Sequence, residues 1–255
     1  MNPVTMVRES REHANPYTVP VFVEYPAGRP YSGTGTLLQF RECRFVLTCN
    51  HVIEPSLDDV VYFGGPARTV VLQTVKIHRD VYIDKSLDLA IYRMPDTYVP
   101  LNKKFYIASD ICPVDVGREV LVYNHGYALG NSSVQAGIDL RGERSALYKS
   151  TTYLSETEDD FETNLVAKVR QRSIRWRQDE MLHFKTLERL PVSTSNPFVG
   201  QGFSGGPVFV HSTRRLTGYV TATDPNNATR LYYVHIRHAL DFLQRHVPVP
   251  ELSDA

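Results

Sequence analysis

The segment Gly202-Phe203-Ser204-Gly205-Gly206-Pro207 leads directly into the apolar run Val208-Phe209-Val210. A serine among glycines, followed by a β-rich run, predicts a tight loop at the entrance of a strand. Glycine adopts positive φ without strain, so such a loop can turn its backbone N–H groups toward one point. A phosphate-binding loop is the other common use of such glycines, but the lysine and the following helix of that motif are missing. We therefore interpret the segment as a turn that presents the hydroxyl of Ser204.

Short strand-like runs lie on both sides of this segment. They are rich in Val, Ile, Tyr and Thr, and turns containing Gly, Pro, Asp or Asn separate them. This pattern favours antiparallel sandwiches or barrels over a parallel α/β sheet. Helical spacing is clear at 237–246, which ends before Pro248. The sequence therefore predicts an all-β chain with a closing helix. The predicted runs are 17–25, 35–40, 44–48, 60–63, 69–77, 87–93, 119–123, 165–169, 207–211, 216–222 and 231–236.

The composition is that of an ordinary globular protein. The 255 residues are 42% hydrophobic and 22% charged, and Lys+Arg balance Asp+Glu at 28 each. With no net charge there is no electrostatic reason to expect a nucleic acid or a membrane as partner. No apolar stretch approaches the roughly 18 residues of a membrane span. Cys43, Cys49 and Cys112 form an odd set without metal-ligand spacing, which favours a reducing, cytoplasmic location.

Two further segments supply groups that can activate the Ser204 hydroxyl. His51 follows one β-rich apolar run, and Asp88 stands at the entrance of another. A serine hydroxyl is a poor nucleophile at neutral pH and needs a base. An imidazole has a suitable intrinsic pKa, and a carboxylate can hold its tautomer and stabilise the imidazolium. Together the three residues predict nucleophilic catalysis, with the N–H groups of Gly202 and Ser204 as the oxyanion hole.

Each residue taken singly has a simpler structural explanation. A lone His after a strand is more often a surface or hydrogen-bonded core residue than a catalyst. A lone Asp at the start of a strand is usually a cap or turn residue. The prediction therefore depends on the three segments occurring together and in one order.

The ordered set Thr48-Cys49-Asn50-His51-Val52, Leu87-Asp88-Leu89-Ala90 and Gly202-Phe203-Ser204-Gly205-Gly206-Pro207 resembles the three active-site blocks of the trypsin-like serine peptidases. The order His, Asp, Ser differs from the order in subtilisins and α/β-hydrolases. The residue types of the first block and the lack of paired cysteines resemble the bacterial heat-shock-type branch. The expected member of that branch is one without a PDZ domain. The likeness extends from about residue 19 to about residue 246.

This resemblance implies a single peptidase domain over residues 1–255 with a chymotrypsin-like architecture. Two six-stranded antiparallel β-barrels would form it, the first over about 15–110 and the second over about 115–236. A C-terminal helix would follow at about 237–246. The active site would lie in the cleft between the two barrels.

The resemblance also implies substrate-binding residues. Phe198 stands where the family often forms the base of the primary specificity pocket, and it offers no carboxylate to a basic side chain. A small or apolar preference is therefore expected. Thr221, Ala222 and Thr223 would lie on the strand that lines the substrate channel, and the Thr221 hydroxyl would support Asp88. A protein or peptide substrate would bind as an added antiparallel strand.

The segment 140–191 is longer than a minimal second barrel needs, and it contains an acidic stretch at 155–162 and a basic stretch at 170–177. It is interpreted as an insertion that docks a regulatory protein partner, although two solvated faces are the simpler explanation.

The predicted function is a serine endopeptidase that uses an acyl-enzyme and no cofactor or metal. Two alternatives stay open: a latent or non-catalytic scaffold on the same fold, and an esterase with the same triad.

Overall fold

Strands and short turns account for most of the described chain. The computed structural model describes residues 3–24, 30–54, 60–63, 69–71, 73–76, 81–95, 103–111, 121–127, 145–147, 150–157, 171–176, 202–224 and 227–247. The strands are β1 (Thr18–Glu24), β2 (Pro30–Phe40), β3 (Cys43–Cys49), β4 (Val60–Phe63), β5 (Thr69–Val71), β6 (Gln73–Lys76), β7 (Val81–Asp84), β8 (Leu89–Met94), β9 (Tyr106–Ile107), β10 (Leu121–Tyr127), β11 (Ser145–Leu147), β12 (Ser150–Thr157), β13 (Gln171–Trp176), β14 (Pro207–Val210), β15 (Leu216–Asp224) and β16 (Asn227–His235). The helices are α1 (Pro3–Ala14), the single turn α2 (Asn50–Ile53) and α3 (Ile236–His246), and 3₁₀ turns lie at Asn15–Tyr17, Lys85–Leu87 and Ala108–Asp110.

The N-terminal half forms an eight-stranded sheet, called here the N-terminal sheet. Its strands are hydrogen-bonded in the order β6-β4-β1-β2-β3-β8-β7, and β9 pairs with β2 in parallel. The β2–β3 hairpin turns at Arg41, whose φ of 54° follows the twist of the paired strands. Residues 45–49 of β3 are all buried. Both faces of this strand are therefore covered, which explains its continuous apolar sequence.

The C-terminal half forms a ring of six strands, called here the C-terminal ring. Each strand pairs with two neighbours in the closed order β10-β12-β13-β16-β15-β14. The prediction of an all-β chain is confirmed. The prediction of two six-stranded barrels is not confirmed as a whole, because the N-terminal sheet has eight strands and an open order among the described residues.

The segment 140–191 contributes to the ring itself. β12 and β13 both come from it, and both are members of the ring. β11, from the same segment, pairs instead with β5 of the N-terminal half. The interpretation of the whole segment as an insertion was therefore wrong for 150–157 and 171–176. The rest of the acidic and basic stretches lies outside the described residues.

Helix α1 was not predicted from the sequence. Pro3 stands at its first position, where the missing N–H costs nothing. Val7, Ser10 and Ala14 are buried at helical spacing, and two of these three side chains are too small to produce a clear apolar stripe. His13 attaches the helix to the ring, since the hydroxyl of Tyr123 lies 2.7 Å from its Nδ1.

Helix α3 closes the fold. The sequence predicts it over 237–246, and the structure begins it one residue earlier. Ala239 and Leu243 are fully buried, and the guanidinium of Arg41 donates to the carbonyl of Val247 at 2.9 Å. This bond joins the residue that follows α3 to the β2–β3 hairpin. No described helix combines the length and the apolar character needed to cross a lipid bilayer.

Candidate active site

His51 lies in α2, directly after the buried strand β3. The carboxylate of Asp88 accepts two hydrogen bonds from this residue, one from its backbone N–H at 3.0 Å and one from its Nδ1 at 2.6 Å. The N–H of Asn50 also donates to the carbonyl of Asp88 at 3.0 Å. Because main chain and side chain are both held, the imidazole has little freedom to rotate away from the carboxylate.

Asp88 occupies the tight turn between β7 and β8. Asp84 caps the preceding 3₁₀ turn by accepting from the N–H groups of Ser86 at 2.9 Å and Leu87 at 3.3 Å. Asp88 itself takes a φ of 48°, a left-handed conformation that aspartate tolerates better than most residues. This turn directs the carboxylate toward His51.

Ser204 lies in the loop 202–206, called here the Ser204 loop. Its Oγ is 3.0 Å from Nε2 of His51, so a continuous chain of hydrogen bonds joins Asp88, His51 and Ser204. Gly202 and Gly205 take φ values of 91° and 87°. A Cβ on Gly205 would lie 2.1 Å from the carbonyl oxygen of Thr34. Glycine is therefore required there both for its conformation and for space.

The N–H groups of Gly202 and Ser204 were the predicted oxyanion donors. The carbonyl of Phe203 accepts from the N–H of Gly206 at 2.8 Å, back within the loop. In a planar trans peptide the N–H and the C=O point in opposite directions. The N–H of Ser204 is therefore directed away from Gly206, which is compatible with the predicted role.

The Thr221 hydroxyl was predicted to support Asp88, but it bonds to a different group. Its Oγ1 donates to the carbonyl of Tyr232 on the neighbouring strand β16 at 3.4 Å. The carbonyl of Thr221, in contrast, is 3.5 Å from Oγ of Ser204. The strand therefore passes close to Ser204, but the hydroxyl of Thr221 bonds to the neighbouring strand and not to Asp88.

The remaining predicted substrate-binding residues are only partly described. Ala222 is exposed beside Thr221. Thr223 is a β15 residue whose backbone pairs with Leu231. Phe198 lies outside the described residues.

Two buried side chains that the sequence did not single out for this role lie next to Asp88. The Cys49 thiol donates to the carbonyl of Val220 at 3.2 Å. Burial, together with the nearby Asp88 carboxylate, holds the pKa of this thiol well above its usual value, so it is protonated at neutral pH. The Tyr219 hydroxyl donates to the carbonyl of Leu87 at 2.9 Å. Tyr219 follows the ordinary alternation of a core strand, so no sequence signal distinguished it.

Cys49, His51 and Asp88 also form a set of possible metal ligands. Their donor atoms all lie within 4.8 Å of one another, and thiolate, imidazole and carboxylate are the ligands that zinc prefers. Two ligands on one tetrahedral zinc are about 3.3 Å apart, given metal–ligand distances near 2.0 Å. The 2.6 Å between Nδ1 of His51 and the carboxylate is too short for that. The arrangement is that of a hydrogen-bonded pair.

Residues 33–218 match the model of the trypsin-like peptidase domain. This match covers most of the chain, and the protein therefore belongs to the trypsin-like peptidase family, as the three blocks predicted. No curated protein matches the chain by sequence.

Solved structures of similar fold include several proteases. The active form of the Rv3671c protease from M. tuberculosis has a TM-score of 0.61 at 16% identity, covering 97% of this chain and 88% of that chain. The HtrA-type protease AlgW with a tripeptide has a TM-score of 0.59 at 14% identity, covering 93% and 62%. The serine endoprotease from Yersinia pestis has a TM-score of 0.54 at 14% identity, covering 93% and 65%. At these identities the likeness establishes the fold.

Proposed function

We propose that this protein is a serine endopeptidase in which Ser204 is the nucleophile, His51 the general base and Asp88 the group that orients His51. The observation that carries the proposal is the chain of hydrogen bonds through these residues, 2.6 Å from Asp88 to His51 and 3.0 Å from His51 to Ser204. Both distances are within the range required for proton transfer between a nucleophile and its base.

In the acylation step, Oγ of Ser204 attacks the carbonyl carbon of the scissile peptide bond. Its proton passes to Nε2 of His51, and the imidazolium is stabilised by the carboxylate of Asp88. The N–H groups of Gly202 and Ser204 donate to the oxyanion of the tetrahedral intermediate. His51 then gives its proton to the leaving amine, and the C–N bond breaks to leave an ester on Ser204.

Deacylation repeats these steps with water as the nucleophile. His51 accepts a proton from the water, which attacks the ester carbonyl, and the proton returns to Oγ of Ser204 as the acid product leaves. All the groups required belong to this chain.

The free side of β15 supports a peptide as the substrate. Among the described strands, β14 pairs with β15 only as far as Tyr219, so residues 221–223 have no strand partner on the side of the Ser204 loop. The Thr221 carbonyl is already close to Oγ of Ser204. An extended peptide that pairs with this edge would bring a carbonyl carbon to the nucleophile. Thr221, Ala222 and Thr223 would form this edge, with Phe198 at the base of the pocket.

In this proposal the N-terminal sheet takes the place of the first barrel and the C-terminal ring is the second. The pairing of β11 with β5 links the 140–191 segment to the N-terminal half. A protein partner bound to that segment would therefore be in a position to regulate the cleft of a cytoplasmic peptidase.

A fluorophosphonate probe tests the proposal. We expect it to label the wild-type chain and not Ser204→Ala, with Ser109→Ala as the control because Ser109 is exposed and lies in a separate turn. Cleavage of a randomised peptide library, read by mass spectrometry, would separate a peptidase from an esterase. Equal labelling of the wild type and Ser204→Ala, or no labelling of either, would contradict the proposed nucleophile.

A further inference from the structure

The Thr34 hydroxyl lies beneath the Ser204 loop, although Thr34 belongs to β2 of the N-terminal sheet. Its side chain is fully buried. Oγ1 donates to the carbonyl of Gly202 at 2.5 Å and accepts from the N–H of Tyr127 at 3.0 Å. A threonine hydroxyl has one proton and two lone pairs. The Tyr127 N–H binds to one lone pair of the Thr34 hydroxyl, and the hydroxyl proton is donated to the carbonyl of Gly202.

The same strand also holds other parts of the Ser204 loop. The backbone N–H of Thr34 donates to the carbonyl of Ser204 at 2.9 Å, and Oγ1 of Thr36 donates to the carbonyl of Gly205 at 2.8 Å. Three carbonyls of the loop are therefore bound by two residues of β2. Thr34 is itself anchored, because Oγ1 of Thr48 donates to its carbonyl at 2.9 Å.

These bonds constrain the peptide planes next to the oxyanion donors. The carbonyl held by the Thr34 hydroxyl belongs to the peptide that follows Gly202, so the bond restricts ψ of this glycine. Glycine has no Cβ to limit its conformations, and Gly202 already stands at a φ of 91°. Rotation about ψ of Gly202 changes the direction of its N–H relative to the N–H of Ser204, so the bond from Thr34 limits how far the two oxyanion donors can diverge. An oxyanion hole depends on donors that are oriented before the reaction occurs.

We propose that Thr34 is a positioning residue for the oxyanion hole, through the hydrogen bond from its hydroxyl to the carbonyl of Gly202. The inference rests on the proposed function, since it assigns to the N-terminal sheet the orientation of a donor that the C-terminal half contributes. It predicts that Thr34 acts on the rate of the chemical step rather than on substrate binding.

Thr34→Val is the primary test, because valine keeps the shape of threonine and lacks the hydroxyl. With 4-nitrophenyl acetate as substrate, kcat should fall about 10- to 100-fold, less than the roughly 10²–10³-fold cost of removing an oxyanion donor outright. KM should change less than about two-fold. Thr34→Ser restores the hydroxyl and should remain within about three-fold of the wild type. Thr213→Val, at an exposed turn, should match the wild type and serves as the control.

A kcat for Thr34→Val equal to that of the wild type would overturn the inference. Equal loss in Thr34→Ser and Thr34→Val would also overturn it, because shape rather than the hydroxyl would then matter. If Thr34→Val fails to fold, Thr34→Ala replaces it in the same comparison with Thr34→Ser.

Amide hydrogen exchange separates this inference from the proposed function. In a Ser204→Ala background, where no turnover is possible, Thr34→Val should raise the exchange rate of residues 202–206 at least about five-fold. Thr213→Val should leave it unchanged. If the wild type proves inactive toward every probe, the proposed function fails while this measurement still decides the role of Thr34. Unchanged exchange in Thr34→Val would contradict it.

Discussion

The hydroxyl of Tyr219 donates to the carbonyl of Leu87 at 2.9 Å, and this bond crosses from the C-terminal ring to the turn that carries Asp88. Both residues are buried. Thr34 makes the reciprocal contact, since it reaches from the N-terminal sheet to the Ser204 loop. Each half therefore holds the loop that bears the reactive group of the other half. The geometry of the site consequently depends on how the two halves pack.

Tyr219→Phe should weaken the site without removing any group of the triad. It leaves the buried carbonyl of Leu87 without its donor, which costs on the order of 1–3 kcal/mol of unfolding free energy. We expect a lower urea midpoint and a kcat reduced about 3- to 30-fold, with KM little changed. Tyr17→Phe, at a half-buried tyrosine packed on His13 and Tyr106, is the matched control. Identical kcat in Tyr219→Phe and the wild type would show that the Asp88 turn needs no such contact.

Asp88→Asn should lower kcat by about 10⁴-fold, because the amide no longer selects the tautomer in which Nε2 of His51 accepts the Ser204 proton. The fold should persist, since the amide oxygen can still accept from the backbone N–H of His51. Asp241→Asn, on the exposed face of α3, is the control. Steady-state kinetics with 4-nitrophenyl acetate measures the effect. A loss below about ten-fold would mean that Asp88 does not orient the base.

The half-buried His13 and the buried His125 should make the fold sensitive to acid. Burial, with the charge of Arg214, lowers the pKa of His13 to about 4. Burial, with the charges of Lys103 and Arg11, lowers the pKa of His125 to about 3. In the unfolded chain both imidazoles bind a proton near pH 6.5. Between pH 6.5 and about 4 the unfolded state therefore holds more protons, and stability falls as the pH is lowered.

Thermal unfolding measured at steps from pH 7.5 to pH 4 checks this expectation. His13→Gln keeps a group that can accept from Tyr123 and removes the titration, so it should reduce the dependence of Tm on pH in this range. Thr213→Val, at an exposed turn without a titratable group, should leave that dependence unchanged. A slope that His13→Gln does not alter would assign the acid sensitivity to other groups.

Lys103 should make the stability of the fold depend on pH in the alkaline range. Burial lowers the pKa of its ammonium to about 7, while the unfolded chain retains the proton to about pH 10.4. Between these values the unfolded state binds more protons, so stability should rise as pH increases from 7 toward 10. Lys103→Gln should flatten the dependence of the urea midpoint on pH over that interval. Lys104→Gln, at the exposed neighbouring position, is the control.

The positions of His51, Asp88 and Ser204 could be predicted because each stands in a short block whose residue types the chemistry restricts. Glycines at 202 and 205 carry positive φ, and a side chain at 205 would meet the backbone of Thr34. Such local requirements can be read from the amino-acid sequence. The all-β pattern could be predicted for the same reason, since strand alternation and turn residues are local signals.

The neighbours of Asp88 could not be predicted, because they depend on which face of a strand turns inward. Thr221 was expected to support the carboxylate, yet its hydroxyl bonds to Tyr232. Register shifts interrupt the pairing of β15 with β16 between Val220 and Ala222. A bulge of this kind reorients the side chains beyond it. Helix α1 was not predicted because most of its buried residues are small. They form no clear apolar stripe in the sequence, and their burial depends on packing against the ring.

Local residue patterns were enough to predict the family, the order of the three reactive residues and a glycine-dependent turn around Ser204. These depend on the covalent chemistry and backbone freedom of single residues. The folded structure was needed to show that Thr34 and Tyr219 hold the loops of the opposite halves and that Cys49 lies beside Asp88. Such contacts join residues more than a hundred positions apart in two of these three cases, and long-range packing, not local pattern, determines which side chains meet.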